Sequence, residues 1–65
     1  MRILVNGAWR DTSAADLAAA LLDFGYGEAV VATAVNGEFV PTAARAAARL
    51  HEGDRIEVLA PMQGG

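Results

Sequence analysis

The 65-residue sequence predicts an α+β fold in which a mixed sheet of four to five strands wraps one main helix. Three observations lead there. The tripeptide Val-Asn-Gly occurs twice, at Val5–Gly7 and Val35–Gly37, each time after an apolar run. Asn-Gly is the strongest short hairpin signal, because both residues tolerate the positive φ of a type I′ turn. Between the hairpins, Leu17, Leu21 and Phe24 fall at i, i+4, i+7, one face of a helix. A last alternating run, Arg55–Ala60, supplies a further strand.

Met1–Val5 is short, apolar and rich in branched residues, so it reads as a strand, with Ala8–Asp11 returning across Asn6-Gly7. Thr12 and Ser13 offer an N-cap. Ser13-Ala14-Ala15-Asp16 has capping-box spacing with Asp in place of Glu, so the helix is expected from about Ala14 to Phe24. Ala18 and Ala20 lie near its apolar face, and Gly25 is the expected C′ residue. Ala29–Val35 is a second branched run, Glu38–Val40 its return, and Pro41 ends the hairpin. Thr42–Leu50 is Ala-rich and predicts a short helix, partly 3₁₀, with Arg45 and Arg49 on a solvated face. Glu52-Gly53-Asp54 is a turn before the last strand. The order ββαββ(α)β buries the helix only if one sheet wraps it, which is a β-grasp layout. Met1–Val5 and Arg55–Ala60 become its central neighbours, with the hairpin partners outside. Residues 1–60 are then the β-grasp domain and 61–65 a flexible C-terminal tail.

Composition narrows the function. The chain has no Cys and one His, so it has neither disulfides nor the ligands of a metal centre. Packing of Val, Ile, Leu and Ala must hold it together, and 54% apolar residues permit that. The absence of Cys fits a reducing cytoplasm, the expected location. No apolar run approaches a membrane span, and no signal peptide is evident. The formal charge of −3, with five Arg and no Lys, argues against nucleic acid or an anionic membrane as partner. No nucleophile–base pair, phosphate loop or metal spacing is present, so no catalytic residue is assigned and the chain is not expected to be an enzyme. His51 beside a turn reads as a surface residue, and Asp16 and Asp23 as capping or surface charges.

Strand alternation assigns the faces. Ile3 and Val5 point one way with Ile56 and Val58, leaving Leu4, Glu57 and Leu59 on the other side. Across a two-residue turn Leu4 faces Trp9. Leu4, Trp9 and Leu59 are therefore the candidate docking surface on the outer sheet face, with Met62 close to it.

The sequence ends in Gly64-Gly65, and a free carboxylate on glycines is a chemical handle. Without a Cβ, glycine can lie extended in a slot too narrow for other residues. An enzyme that threads a C-terminus into its active site favours such an ending. Pro61 cannot donate to a sheet ladder and is expected to end the last strand.

Over its whole length the chain resembles the ThiS family, the sulfur carrier proteins of thiamine biosynthesis, which share the ubiquitin-like β-grasp fold. The resemblance rests on the short first strand, on Ala32–Pro41, on Leu50–Val58 and above all on Met62-Gln63-Gly64-Gly65. One departure is Thr42, where the family often carries Arg after Val-Pro; Arg45 is the cation of the next turn. The resemblance implies that Gly65 is the group carried through chemistry, as an adenylate and then a thiocarboxylate. It implies that Gly64, Gln63 and Met62 thread into partner active sites. The partners implied are a ThiF-type adenylyltransferase using ATP and Mg²⁺, a persulfide sulfur donor and a ThiG-type thiazole synthase. The carrier itself binds no cofactor. Three alternatives stand beside it: the small subunit of molybdopterin synthase, which shares fold and diglycine; a ubiquitin-like modifier; and a plain β-grasp interaction domain.

Overall fold

The computed structural model describes residues 1–27 and 29–60. It contains β1 (Arg2–Val5), β2 (Ala8–Asp11), α1 (Leu17–Asp23), β3 (Ala32–Val35), β4 (Glu38–Val40), a 3₁₀ helix (Thr42–Ala47) and β5 (Arg55–Leu59). The strands form one five-stranded mixed sheet in the order β2-β1-β5-β3-β4. β1 and β5 are central and parallel, while both hairpins and the β3–β5 pair are antiparallel. This is the β-grasp arrangement expected from the sequence.

Both hairpins turn on Asn-Gly in the left-handed region: φ is 50° and 84° at Asn6 and Gly7, 52° and 86° at Asn36 and Gly37. Positive φ at both central residues is the type I′ geometry, whose twist matches that of the strands. The resulting register sets Val5 against Ala8 and Leu4 against Trp9.

The core lies between the sheet and α1. Ile3, Val5, Ile56 and Val58 from the central strands meet Leu17, Ala20 and Leu21 from the helix, with Leu50 closing one side. Phe24 and Ala14 pack at its margin. Arg10, on the inner face of β2, lays its guanidinium 4.7 Å from the Phe24 ring centre and so covers that margin with a cation–π contact.

The helix is shorter than its periodicity predicts. It begins at Leu17, and its N-cap is Asp16, whose carboxylate accepts from the Ala19 amide at 2.8 Å. Thr12 and Ser13 do not cap it. The Thr12 hydroxyl accepts from the Ala14 amide and donates to Asp23 at 2.7 Å. Tertiary pairing decides the start. Ala15 C=O accepts from Leu50 N–H and Ala48 C=O from Leu17 N–H, which holds Asp16 extended opposite Arg49, beyond the 3₁₀ helix. The C-terminus follows expectation: Gly25 has φ +92°, Tyr26 N–H reaches Leu21 C=O and Gly25 N–H reaches Leu22 C=O, a Schellman motif.

Three further expectations need correction. Ala29–Val35 is a strand only from Ala32, where pairing with Leu59 begins. Ahead of it, the Val31 carbonyl is taken by Arg45 Nη2. Arg45 therefore does not sit on a solvated face. It is half-buried, and its Nε also donates to Thr33 Oγ1 at 3.1 Å, which ties the 3₁₀ helix to β3. The predicted helix over Thr42–Leu50 is a 3₁₀ helix that stops at Ala47. Arg49 is exposed, as read.

At the start of β5, Asp54 joins the last turn to the second hairpin. Its carboxylate accepts from Asn36 Nδ2 at 3.0 Å and from the His51 amide at 2.8 Å. Desolvation by burial would raise this carboxyl's pKa, but the hydrogen bonds from Asn36 and His51, with the nearby His51 charge, outweigh it and hold the pKa below its ordinary value. The His51 side chain itself is 80% exposed.

Two outcomes are expected. Leu21→Ala should cost about 2–5 kcal/mol, against a total stability of ~3–10 kcal/mol for a domain of this size. Thermal denaturation should find it largely unfolded near physiological temperature; a melting point close to the parent's would mean Leu21 is not core. Asp54 contributes stability that is present above the unfolded carboxylate value of 3.8 and lost as pH falls through the lower folded value. Urea midpoints of the parent and Asp54→Asn should therefore differ at neutral pH and converge in acid below that value.

Candidate docking face and carrier terminus

Pairing in the sheet defines which side chains share the face away from α1. On β1 and β2 these are Arg2, Leu4, Trp9 and Asp11; on β5, Arg55, Glu57 and Leu59; on β3 and β4, Ala32, Ala34 and Phe39. All three sequence-predicted docking residues are on this side. Leu4 is half-buried, Trp9 is 51% exposed and Leu59 is 66% exposed.

They form two groups. Leu4 and Trp9 are cross-strand neighbours, and Arg2 stacks its guanidinium 5.1 Å from the Trp9 ring centre. Leu4 aligns with Arg55. Leu59 is four positions further along β5, about 13 Å at the rise of a strand. There it lines a shallow recess of about 120 Å³ with Ala32, Ala34, Phe39 and Glu57. Phe39, 69% exposed, is the member that sequence reading missed. The signal was present, because the Asn36-Gly37 turn sets Phe39 opposite Ala34 just as Asn6-Gly7 sets Trp9 opposite Leu4. Between the two groups run Arg55 and Glu57, so the face combines aromatic and aliphatic patches with a central pair of opposite charges.

Among the described residues Trp9, Phe39 and Leu59 are exposed on one side of the sheet. Aromatic residues beside Arg are the composition of binding hot spots. The helix side also exposes Leu22 and Val30. There a recess of about 230 Å³ lies between α1, Tyr26, Ala29 and Arg45.

β5 ends at Leu59, and Ala60 is the last residue described. Pro61 and the predicted carrier and threading residues Gly65, Gly64, Gln63 and Met62 lie outside the described residues. Among the described residues no three His, Asp or Glu side chains gather as a metal would need, and no helix is long and apolar enough to cross a membrane.

Comparison with known proteins agrees with this layout. The ThiS family model matches residues 2–65. The chain is similar to the crystal structure of the thiamine biosynthesis protein ThiS from Geobacter metallireducens, with 29% identity, full coverage of both chains and a TM-score of 0.84. It is also similar to an NMR solution structure of a thiamine biosynthesis protein from the same organism, with 28% identity, 100% of this chain and 88% of that one covered, and a TM-score of 0.76. No curated protein sequence gives a significant match.

Proposed function

Because the chain belongs to the ThiS family, we propose that it is a sulfur carrier of thiamine biosynthesis that works through the carboxylate of Gly65. The observation that carries this reading is the family match, which runs through residues 64–65 and so includes the diglycine. The protein is a cosubstrate of other enzymes and not a catalyst.

Chemistry requires activation first. A carboxylate is a poor electrophile, since its negative charge repels nucleophiles and oxide is a poor leaving group. A ThiF-type adenylyltransferase with ATP and Mg²⁺ joins the Gly65 carboxylate to the α-phosphate and releases pyrophosphate. A persulfide sulfur then attacks the acyl carbon and expels AMP. Cleavage of the resulting acyl disulfide takes two electrons from a thiol and leaves a thiocarboxylate on Gly65. That soft anion attacks a carbonyl intermediate on a ThiG-type thiazole synthase and leaves its sulfur there, and an oxygen from that carbonyl or from water takes the sulfur's place on the acyl carbon to restore the carboxylate.

In this scheme the fold divides the work. Gly64 and Gly65 have no side chains to obstruct a narrow channel, and Gln63 and Met62 follow them towards it. The outer face, with Trp9 and Leu4 at one level and Phe39 and Leu59 at another, docks the enzyme. Leu59 is on the strand that leads into the tail, so docking and threading are adjacent along one chain segment.

Two measurements test the reading. With the adenylyltransferase, ATP and Mg²⁺, the parent should release pyrophosphate, and the protein lacking Gly65 should not. Correct placement of reactants is worth up to roughly 7–11 kcal/mol, and the deletion moves the carboxylate away from the nucleotide. Normal release by the shortened protein would refute the role of Gly65. Leu59→Asp should remain folded by circular dichroism, because the residue faces solvent. It should bind the adenylyltransferase about thirtyfold more weakly in calorimetric titration, the effect of losing about 2 kcal/mol at a hot spot. Unchanged affinity would place the docking surface elsewhere.

A further inference from the structure

Asn6 does more than turn the first hairpin. β1 ends at Val5, whose partner on β5 is Ile56, so β5 runs beyond its parallel neighbour. The Asn6 side chain fills the gap. Its Oδ1 accepts from the Val58 amide at 2.8 Å and its Nδ2 donates to the Val58 carbonyl at 3.1 Å, while the Asn6 backbone amide donates to the Ile56 carbonyl at 3.0 Å. A side-chain carboxamide has one acceptor and one donor in the geometry of a peptide group, so Asn6 acts as one more residue of β1. It holds both backbone groups of Val58, two residues before Ala60.

Asn36 grips the other end of the strand with its carboxamide oxygen alone, its Nδ2 donating to Asp54. Its Oδ1 accepts from the Arg55 amide at 2.9 Å, and its backbone amide donates to the Arg55 carbonyl. The two asparagines thus hold opposite edges and opposite ends of β5. Only Asn6 acts at the end from which the tail departs.

We propose that Asn6 is a positioning residue for the carrier chemistry: its carboxamide clamps Val58 and so fixes the end of β5 and Ala60, the residues that precede the carrier terminus in the sequence. The kinetic half of this inference rests on the proposed carrier function; the structural half does not. Leu59 is held by β3 through its pairing with Ala32. The Asn6 clamp restrains the other edge at Val58. Without it, the last residues of β5 are held from one side and swing about that ladder.

Asn6→Gly is the test and Asn36→Gly its control. Glycine accepts the positive φ of either turn, so each hairpin persists, and each variant loses a carboxamide bridge to β5. In the free protein, Asn6→Gly should speed amide exchange at Val58 and lower the NMR order parameter of Ala60, while Asn36→Gly changes neither. An unchanged Ala60 in Asn6→Gly overturns the inference, whatever the protein's function. With the adenylyltransferase, Asn6→Gly should lower kcat for pyrophosphate release about fivefold or more, as misplacement of the reacting end does. KM should stay the same, because the docking face is intact. Asn36→Gly should keep both constants. An equal loss of kcat in both variants would mean general destabilisation and overturn the kinetic half. A parent protein that is not adenylated at all would refute the carrier function instead and leave the exchange and order-parameter results to decide the clamp.

Discussion

Everything in this fold is organised around the backbone of β5. It is the last strand made and the central one, parallel to β1 on one edge and antiparallel to β3 on the other. In the sheet the two hairpins are joined through it. A parallel pair cannot be joined by a tight turn, so the β1–β5 contact depends on long-range closure of the chain. The two Asn-Gly turns supply much of that closure. Each forms its own hairpin and then gives a carboxamide to β5, Asn6 at Val58 and Asn36 at Arg55. Ile56 and Val58, fixed between these clamps, become the floor on which Leu17, Ala20 and Leu21 pack.

Much of this was legible in the sequence because the signals were local. A two-residue Asn-Gly loop fixes turn type and register together, so both hairpins, the inward set of Ile3, Val5, Ile56 and Val58, and the Leu4–Trp9 pair follow from alternation alone. The Schellman stop at Gly25 is equally local. What sequence reading missed was set by distant partners. Thr12 and Ser13 read as the caps of α1, with Asp16 as the acidic partner of a capping box. The choice fell to Asp16 because Ala15 pairs with Leu50, a contact no local rule contains. Arg45 resembled a solvated cation by helical spacing, yet two acceptors on and beside β3 draw it inward.

The candidate site divides the same way. Phe39 was readable from the second hairpin by the rule that found Trp9. Its place beside Leu59 depends on the β3–β5 register, which only the folded sheet supplies. The role of Gly65 rests on chemistry and on the family match, since a glycine carboxylate has no fold signature of its own. Asn6 was visible as a turn residue, whereas its second use, as a surrogate for the next residue of β1, required the stagger between two strands fifty residues apart in sequence. In the proposed carrier the clamp at Val58, the docking residue Leu59 and the carboxylate of Gly65 then follow one another in the sequence.

In the proposed function sulfur travels on the Gly65 carboxylate. Its most direct test is the intact mass of the protein purified from its native host under non-reducing conditions, followed by fragmentation of the C-terminal peptide. A sulfur carrier should show a fraction in which one oxygen is exchanged for sulfur, localised to Gly65 and reversed by hydrolysis. A protein carrying no sulfur beyond its two methionines, in cells actively making thiamine, would contradict it.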